Sequence, residues 1–444
     1  MKKVITYGTY DLLHQGHIRL LERAKKLGDY LIVGVTADDF DKRRGKVNVT
    51  QSLIERIENI RATGLADEII IEEYEGQKID DIKRLNIDIF TVGSDWRGKF
   101  DYLNEYCEVI YLDRTPGISS SKIRENVYKI KIGLVGEGNL IGKYYKESFY
   151  INGIKVVGVC SKENLKLKEE FQNIQMFSYE KLLEEVDAVY IVSFPERHYE
   201  QIKKALEKRK HVLCEAPITL KIDEFEELTR LAKKNECILM TGLKVAYSTA
   251  YNRLLLLIKS GKIGKVRAID ITCTSLKKID DLEKSWNSIC SWGGIAMLPV
   301  FQILGIDYLK KDIISLFRDE KNFFDNFSRI EFLYNSAVAT IKVGNGVKSE
   351  GELIISGEKG YIFVPAPWWK MDYFEIRYED QEKNERYFYQ LEGEGIRYQL
   401  LIFIKSIKMK KNLSYIDNFI SREIIRVIEN YYERDYFPLE GGKY

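Results

Sequence analysis

Ten residues near the start, Gly8-Thr9-Tyr10-Asp11-Leu12-Leu13-His14-Gln15-Gly16-His17, constrain this chain more than any other stretch. They come after an apolar run, Val4-Ile5-Thr6-Tyr7, and lead into a segment with apolar residues at 18, 20, 21, 24 and 27. The run suits a buried strand, and the segment has the spacing of a helix face. A strand, a tight glycine-containing loop and a helix place two imidazoles, three residues apart, at a helix N-terminus. The terminal backbone N–H groups and the positive end of the helix dipole make such a terminus an anion site. Each histidine can donate a hydrogen bond to a phosphate there, and Gly16 leaves room for close approach. The stretch predicts a phosphate-handling centre.

The alternation of strand and helix continues down the chain. Tyr30–Thr36 is a continuous apolar run, as in a strand buried on both faces. A basic segment, Lys42-Arg43-Arg44-Gly45-Lys46, precedes a periodic helix over about 52–64, then strand 68–71, a helix near 78–85, and strands over 87–93 and 107–112. Strands alternating with helices predict a parallel, doubly wound sheet, whose ligands bind at the carboxyl ends of its strands. His14, His17, the segment after Val92 and the segment after Leu112 all fall at that edge. The last is Arg114-Thr115-Pro116-Gly117-Ile118-Ser119-Ser120-Ser121-Lys122-Ile123-Arg124. Alone it is a helix cap with a serine run; beside the histidine pair it makes a second donor-rich helix start, and together they suit a triphosphate.

These residues carry a resemblance. Gly8-Thr9-Tyr10-Asp11 with His14-x-Gly-His17, then Asp95-Trp96, then Arg114-Thr-x-Gly-Ile-Ser, resemble the cytidylyltransferases, most of all the glycerol-3-phosphate cytidylyltransferases, over nearly all of residues 1–128. The resemblance implies that His14, His17, Lys46 and Arg114 act in catalysis. It implies a CTP site of Thr9, Tyr10, Asp95, Thr115, Gly117, Ile118, Ser119, Ser120 and Ser121, and Mg²⁺ accompanying CTP. It sets Arg44 and Lys78 on the substrate phosphate, makes Arg56 a phosphate ligand, and counts Arg56 and Trp96 with them in the substrate site. The chain departs from the family at Arg44, usually lysine, at Ser120-Ser121, usually two threonines, and at Gln15, usually tryptophan; only the last changes the donor chemistry.

A second strand-to-glycine turn begins at Lys131-Ile132-Gly133-Leu134-Val135-Gly136-Glu137-Gly138-Asn139-Leu140-Ile141-Gly142. Its G-x-G-x-x-x-G spacing is one residue off the dinucleotide fingerprint. A second strand, Lys155–Cys160, comes about 20 residues later and ends in Ser161-Lys162. An acidic residue there would bond a ribose 2′-hydroxyl; a hydroxyl and an ammonium suit a 2′-phosphate, hence NADP(H). Further strand-to-loop units run over 187–193 and 211–217. With Pro195-x-x-His198-Tyr199, Glu215-x-Pro217 and Gly261-Lys262-Ile263-Gly264-Lys265-Val266, this part resembles the Gfo/Idh/MocA oxidoreductases. That resemblance implies cofactor contacts at Gly136, Gly138, Ser161, Lys162 and Glu215. The family's lysine after the glutamate is Ala216 here, and its aspartate and histidine beyond the Gly-Gly segment align with Leu298 and Gln302. The four histidines of the chain all precede residue 212, so no histidine acid or base comes from the later part. Lys244, just after the Thr241-Gly242 turn, has two readings, a replacement for the missing cation and, more commonly, a surface lysine.

Beyond residue 250, alternating strands over 266–272, 329–334, 337–343 and 350–356 predict a largely antiparallel sheet with one covered face. A last helix over about 413–433 is expected to return to the second parallel sheet. The fold class is therefore α/β: a doubly wound, Rossmann-like nucleotidyltransferase domain over 1–128, a second Rossmann domain over 129–247, and an α+β domain with a largely antiparallel sheet over 248–444.

Composition bounds the partners. A net charge of +2 gives no general affinity for nucleic acid or a membrane surface. No apolar run approaches the ~18–20 residues of a membrane helix. Six scattered cysteines without a C-x-x-C pair fit reduced thiols, so a cytoplasmic location is expected. The function expected is transfer of CMP from CTP to a polyol phosphate, above all glycerol 3-phosphate, giving CDP-glycerol; the second half keeps a cofactor-binding outline without the family's hydride-transfer side chains. The alternative is a bifunctional enzyme that reduces a keto precursor with NADPH before CTP activates the product, such as ribitol phosphate. The partners expected are these small molecules and further copies of the chain in a homo-oligomer.

Overall fold

The computed structural model describes residues 1–37, 49, 51, 53–74, 76–113, 129–137, 139–151, 153–161, 174–276, 286–389 and 391–439. The chain divides into two compact units, Met1–Tyr128 and Lys129–Tyr444. The first is built from β1 (Lys3–Gly8), α1 (Gln15–Lys25), β2 (Tyr30–Thr36), α2 (Leu53–Ala62), β3 (Glu68–Glu72), α3 (Gln77–Leu85), β4 (Ile89–Gly93) and β5 (Glu108–Leu112). The strands pair in parallel in the order β3-β2-β1-β4-β5. Alternate residues of β1 face opposite cores: Val4 packs with Leu21, Ala24 and Ile60, whereas Ile5 packs with Ile82, Phe90 and Leu103. Helices on both faces explain why β1 and β2 are apolar at nearly every position. Strand order reverses between β1 and β4, so their carboxyl ends open the crevice at which such sheets hold ligands.

The second unit opens with β6 (Ile130–Gly136), α4 (Asn139–Ser148), β7 (Ile154–Cys160), β8 (Gln175–Met176), α5 (Tyr179–Glu185), β9 (Ala188–Val192), α6 (Pro195–Glu207), β10 (His211–Glu215), α7 (Ile222–Lys234) and β11 (Leu239–Gly242). These strands form a parallel sheet ordered β11-β10-β9-β6-β7-β8. After α8 (Thr249–Lys259) comes a sheet of β12 (Val266–Thr274), β13 (Lys310–Asp319), β14 (Phe324–Leu333), β15 (Val338–Gly344), β16 (Leu353–Gly357), β17 (Tyr361–Val364), β18 (Tyr373–Arg377), β19 (Glu385–Phe388) and β20 (Phe437–Leu439). It is antiparallel except where β12 meets β15 and β13 meets β20. Helix α9 (Gly294–Leu304) continues from a π-helical turn, Ile289–Gly293.

Two late helices complete the unit. Helix α10 (Ile396–Met409) was not anticipated from the sequence, and α11 covers Asn418–Tyr432. The final helix thus starts later than its apolar spacing suggests. Residues 414 and 415 are held outside it, Ser414 by the Tyr247 hydroxyl at 2.9 Å and the Tyr415 carbonyl by the Gln302 amide at 3.1 Å. It does return to the parallel sheet: Ile425 lies in one core with Val212, Phe225 and Leu228. Among the described residues, no helix is long and apolar enough to cross a membrane.

Candidate active site

The loop between β1 and α1 is built by side chains that reach it from far along the chain. Tyr10 and Leu12 both take left-handed backbone conformations, φ 51° and 49°, which cost non-glycine residues about 1–3 kcal/mol each. The wholly buried Arg56 guanidinium of α2 donates to the carbonyls of Thr9 (2.7 Å), Thr36 (2.9 Å) and Gln51 (3.2 Å). The Asp11 carboxylate accepts from the Gln51 backbone N–H at 2.9 Å. The Gln51 side-chain oxygen accepts from the Leu12 N–H at 2.9 Å and the Asn59 amide at 3.2 Å. Arg56, Gln51 and Asn59 together fix a backbone path the loop residues would not choose alone.

That path ends on His14, the N-cap of α1. Its Nδ1 accepts from the backbone N–H of Gly16 (3.0 Å) and His17 (3.3 Å). A neutral ring that accepts at Nδ1 carries its proton on Nε2, so the cap itself selects the tautomer that donates outward. The His14 and His17 rings stack with centroids 3.9 Å apart and planes 13° from parallel. Buried Tyr10 meets His17 edge-on at 5.5 Å. Two imidazoles are thus held side by side at the carboxyl end of β1, at the switch point of the sheet.

His14→Asn separates the cap from the donor. An asparagine oxygen caps a helix as well as Nδ1 does, so this variant should melt within about 1 kcal/mol of the parent. Turnover should still fall at least about a hundredfold on the scale of one lost transition-state donor. Thermal unfolding and pyrophosphate release, measured on one preparation, check both halves.

The other expected residues divide into three groups. Thr9 lies in the clamped loop, and Asp95 and Trp96 form the turn directly after β4 (Ser94–Trp96), at the same sheet edge. Trp96 packs against Phe100 (centroids 5.8 Å) under the Lys99 ammonium. Lys78, at the start of α3, is buried, ion-paired with Glu72, and lies 4.7 Å from the Tyr7 ring centroid; Glu72 also accepts from the Thr36 hydroxyl at 2.9 Å. Arg56, expected on a phosphate, is wholly buried with its guanidinium on three carbonyls, two of them, Thr9 and Gln51, in the loop and its support. Arg44, Lys46, Arg114, Thr115, Gly117, Ile118, Ser119, Ser120 and Ser121 lie outside the described residues, as do Gly138 and Lys162 of the second unit. The clamp residues Asp11, Gln51 and Asn59 were missed, because side-chain contacts to a distant loop leave no local pattern.

In the second unit Gly136 ends β6 at φ 132°, where a Cβ would strike the Ser193 nitrogen at 2.5 Å, so only glycine fits. Ser161 comes directly after the last residue of β7. Glu215, at the end of β10, accepts from the hydroxyls of Tyr144 (3.0 Å) and Tyr190 (2.9 Å), whose rings stack at 3.7 Å. Burial pushes its carboxyl up, against the Tyr190 hydrogen bond, the nearby Lys244 charge and the Tyr144 hydrogen bond. Lys244 is not a surface lysine, the commoner of its two readings: its side chain is only 16% exposed and pairs with Glu394 at 3.0 Å. Ala216 faces Gly294 at the start of α9, at a distance of 3.0 Å from the position of an added Cβ. Leu298 is buried, and Gln302 accepts from the Tyr251 hydroxyl at 2.6 Å, so both are packing residues. Among the described residues, no group of three or more histidine, cysteine or acidic side chains could hold a metal ion.

A parallel sheet with donor-bearing loops at its switch point, and paired imidazoles capping the first helix, defines the first unit as a nucleotidyltransferase. The chain belongs to the cytidylyltransferase-like family, whose profile matches residues 5–126. The profile of the oxidoreductase family's NAD-binding Rossmann fold matches residues 130–243. The amino-terminal part is 53% identical over 127 residues to the glycerol-3-phosphate cytidylyltransferase of Bacillus spizizenii, spanning 29% of this chain and 98% of that one. It is 48% identical over 128 residues to that of Staphylococcus aureus, spanning 29% and 96%. The fold of the remainder is similar to a 3-ketoreductase from Actinomadura kijaniata solved with NADP and TDP-benzene. That likeness has a TM-score of 0.61 at 16% identity and covers 71% of this chain and all of that one.

Proposed function

We propose that residues 1–128 transfer CMP from CTP to a polyol phosphate, with glycerol 3-phosphate as the acceptor, releasing pyrophosphate and CDP-glycerol. The observation that carries this reading is the stacked His14–His17 pair at the sheet switch point, in an amino-terminal part about half identical to enzymes of that name. An acceptor phosphate oxygen forms a bond to the α-phosphorus of CTP as the bond to the pyrophosphate oxygen breaks on the opposite side. The acceptor is already an anion at neutral pH, so no general base is needed, and positioning with charge neutralisation does most of the work. His14 and His17 donate to the equatorial oxygens of the α-phosphate, where charge grows. Lys46 and Arg114 offset charge on the β- and γ-phosphates, with Mg²⁺ neutralising the triphosphate when bound. Thr9, Tyr10, Asp95, Thr115, Gly117, Ile118 and Ser119–Ser121 hold the nucleotide; Arg44, Lys78 and Trp96 receive the acceptor. A panel of polyol phosphates with CTP tests this: pyrophosphate release should be fastest with glycerol 3-phosphate, and release with none of them would end the transferase reading.

For residues 129–444 the reading is a ligand-binding unit with a cofactor edge, divided at 247/248. Gly136, where any Cβ meets the neighbouring strand, and Ser161, a hydroxyl where an acid would favour NAD, fit NADP(H); Gly138 and Lys162 would complete the site. When bound, that cofactor supplies hydride. The bifunctional reading draws support from Lys244, a cation beside buried Glu215 where Ala216 offers none. NADPH mixed with the protein and keto-polyol phosphates should then lose its nicotinamide absorbance; unchanged absorbance restricts this unit to binding.

A further inference from the structure

We propose that the second unit carries a binding site for a phosphomonoester, formed by the ammonium groups of Lys143, Lys244 and Lys370, with the Glu394 carboxylate standing in for the ligand. The three lysines come from separate places: α4, the turn after β11, and the turn after β17 (Trp368–Lys370). They converge on one side chain. Lys143 Nζ lies 2.9 Å from both Glu394 oxygens, Lys244 lies 3.0 Å from Oε2, and Lys370 lies 2.6 Å from Oε1.

Charge and shape explain why a carboxylate is the poorer occupant. Three cations against one anion leave an excess of positive charge, and partly exposed ion pairs add little stability that would need a third lysine. A phosphomonoester carries roughly −1.5 to −2 at pH 7 and presents three terminal acceptor oxygens, one for each ammonium. Burial opposes ionisation of Glu394, yet hydrogen bonds from Lys143, Lys370 and Lys244 hold its carboxyl well below the ordinary range. The cluster thus already holds an anion, and holds it as the ion. The other carboxylates nearby have partners of their own: Glu147, beside Gly393, is paired with Arg397, and Glu215 accepts from the Tyr144 and Tyr190 hydroxyls.

Glu394 is delivered by a left-handed turn, φ 52° between Gly393 at 58° and Gly395 at 87°. It sits at the ligand edge of the parallel sheet: Glu215 and Gly242 are partners across β10 and β11, and Lys244 lies just beyond. Trp369 precedes Lys370 and packs on Trp292 at 4.9 Å. A dinucleotide 2′-phosphate has the same chemistry. Its ribose belongs at the end of β7, however, with β6 and β9 between it and the β10–β11 pair, beyond which Lys244 lies, so the occupant is a small phosphorylated substrate. The proposal deepens the bifunctional reading by naming its substrate class, but the site requires only binding.

Calorimetric titration of the full chain with glycerol 3-phosphate, and separately with NADPH, tests it. Glu394→Gln should add one equivalent of glycerol 3-phosphate bound, or tighten binding at least tenfold, and Lys143→Ala with Lys370→Ala on that background should remove the gain. Glu394→Gly, which suits the left-handed backbone, should give the same gain if the glutamine variant folds poorly. No gain, or a gain that survives loss of the lysines, overturns the site; a gain for NADPH alone overturns the substrate assignment. CTP turnover of the same variants should stay at the parental level, so failure here is distinguishable from failure of the transferase reading.

Discussion

His17→Ala lowers CMP transfer by two to three orders of magnitude, the effect of losing one donor worth about 3–4 kcal/mol in the transition state. The size reflects placement. His17 stacks on His14 at 3.9 Å and is braced edge-on by buried Tyr10, so its orientation is set before CTP arrives. A preorganised donor needs no rearrangement as charge grows on the α-phosphate. The loss should appear mainly in kcat, with a smaller change in KM for CTP, because the interaction strengthens as the reaction proceeds. Steady-state kinetics of pyrophosphate release checks it. A variant within about threefold of the parent would remove His17 from the chemistry.

Arg56→Met is expected to destabilise the first unit by about 3–5 kcal/mol. The side chain is wholly buried and donates to three carbonyls from three parts of the chain. Methionine keeps much of the volume and leaves the Thr9, Thr36 and Gln51 carbonyls without those donors. The strained conformations of Tyr10 and Leu12 persist only while the surroundings enforce them, so the loop that places His14 should relax as well. Denaturant unfolding of the first unit, together with hydrogen exchange in α1, measures both effects. A loss below about 1 kcal/mol would show that the loop holds its shape by other means.

The parallel sheets were legible because residues buried on both faces leave continuous apolar runs, as in Tyr30–Thr36 and Ala188–Val192. The histidine pair was legible because a helix start fixes what two residues three apart can do. The clamp on the loop was not. Arg56 reaches Thr9 across 47 positions, and nothing near Arg56 distinguishes a buried guanidinium on carbonyls from one that meets a phosphate. Lys244 was ambiguous for a similar reason: a lysine after a strand is usually solvated, and its partner Glu394 lies 150 residues further on. Glu394 gave no signal either, since Gly393-Glu394-Gly395 looks like an ordinary turn until three lysines are seen around it.

The two units pose different questions. In the first, relatives and geometry agree, and what remains is the acceptor. In the second, the profile of an oxidoreductase family's NAD-binding Rossmann fold matches residues 130–243 and the fold is similar to that of a 3-ketoreductase, and what remains is the ligand. A phosphate-binding cluster beside Glu215 would give both halves ligands of one chemical kind.

Phosphorus NMR of the full chain with CTP, Mg²⁺ and glycerol 3-phosphate decides whether the first unit makes a CDP-polyol. A new diphosphodiester signal should grow in step with pyrophosphate and vanish in His17→Ala. An unchanged CTP spectrum, or CTP lost without a diphosphodiester product, would rule that chemistry out.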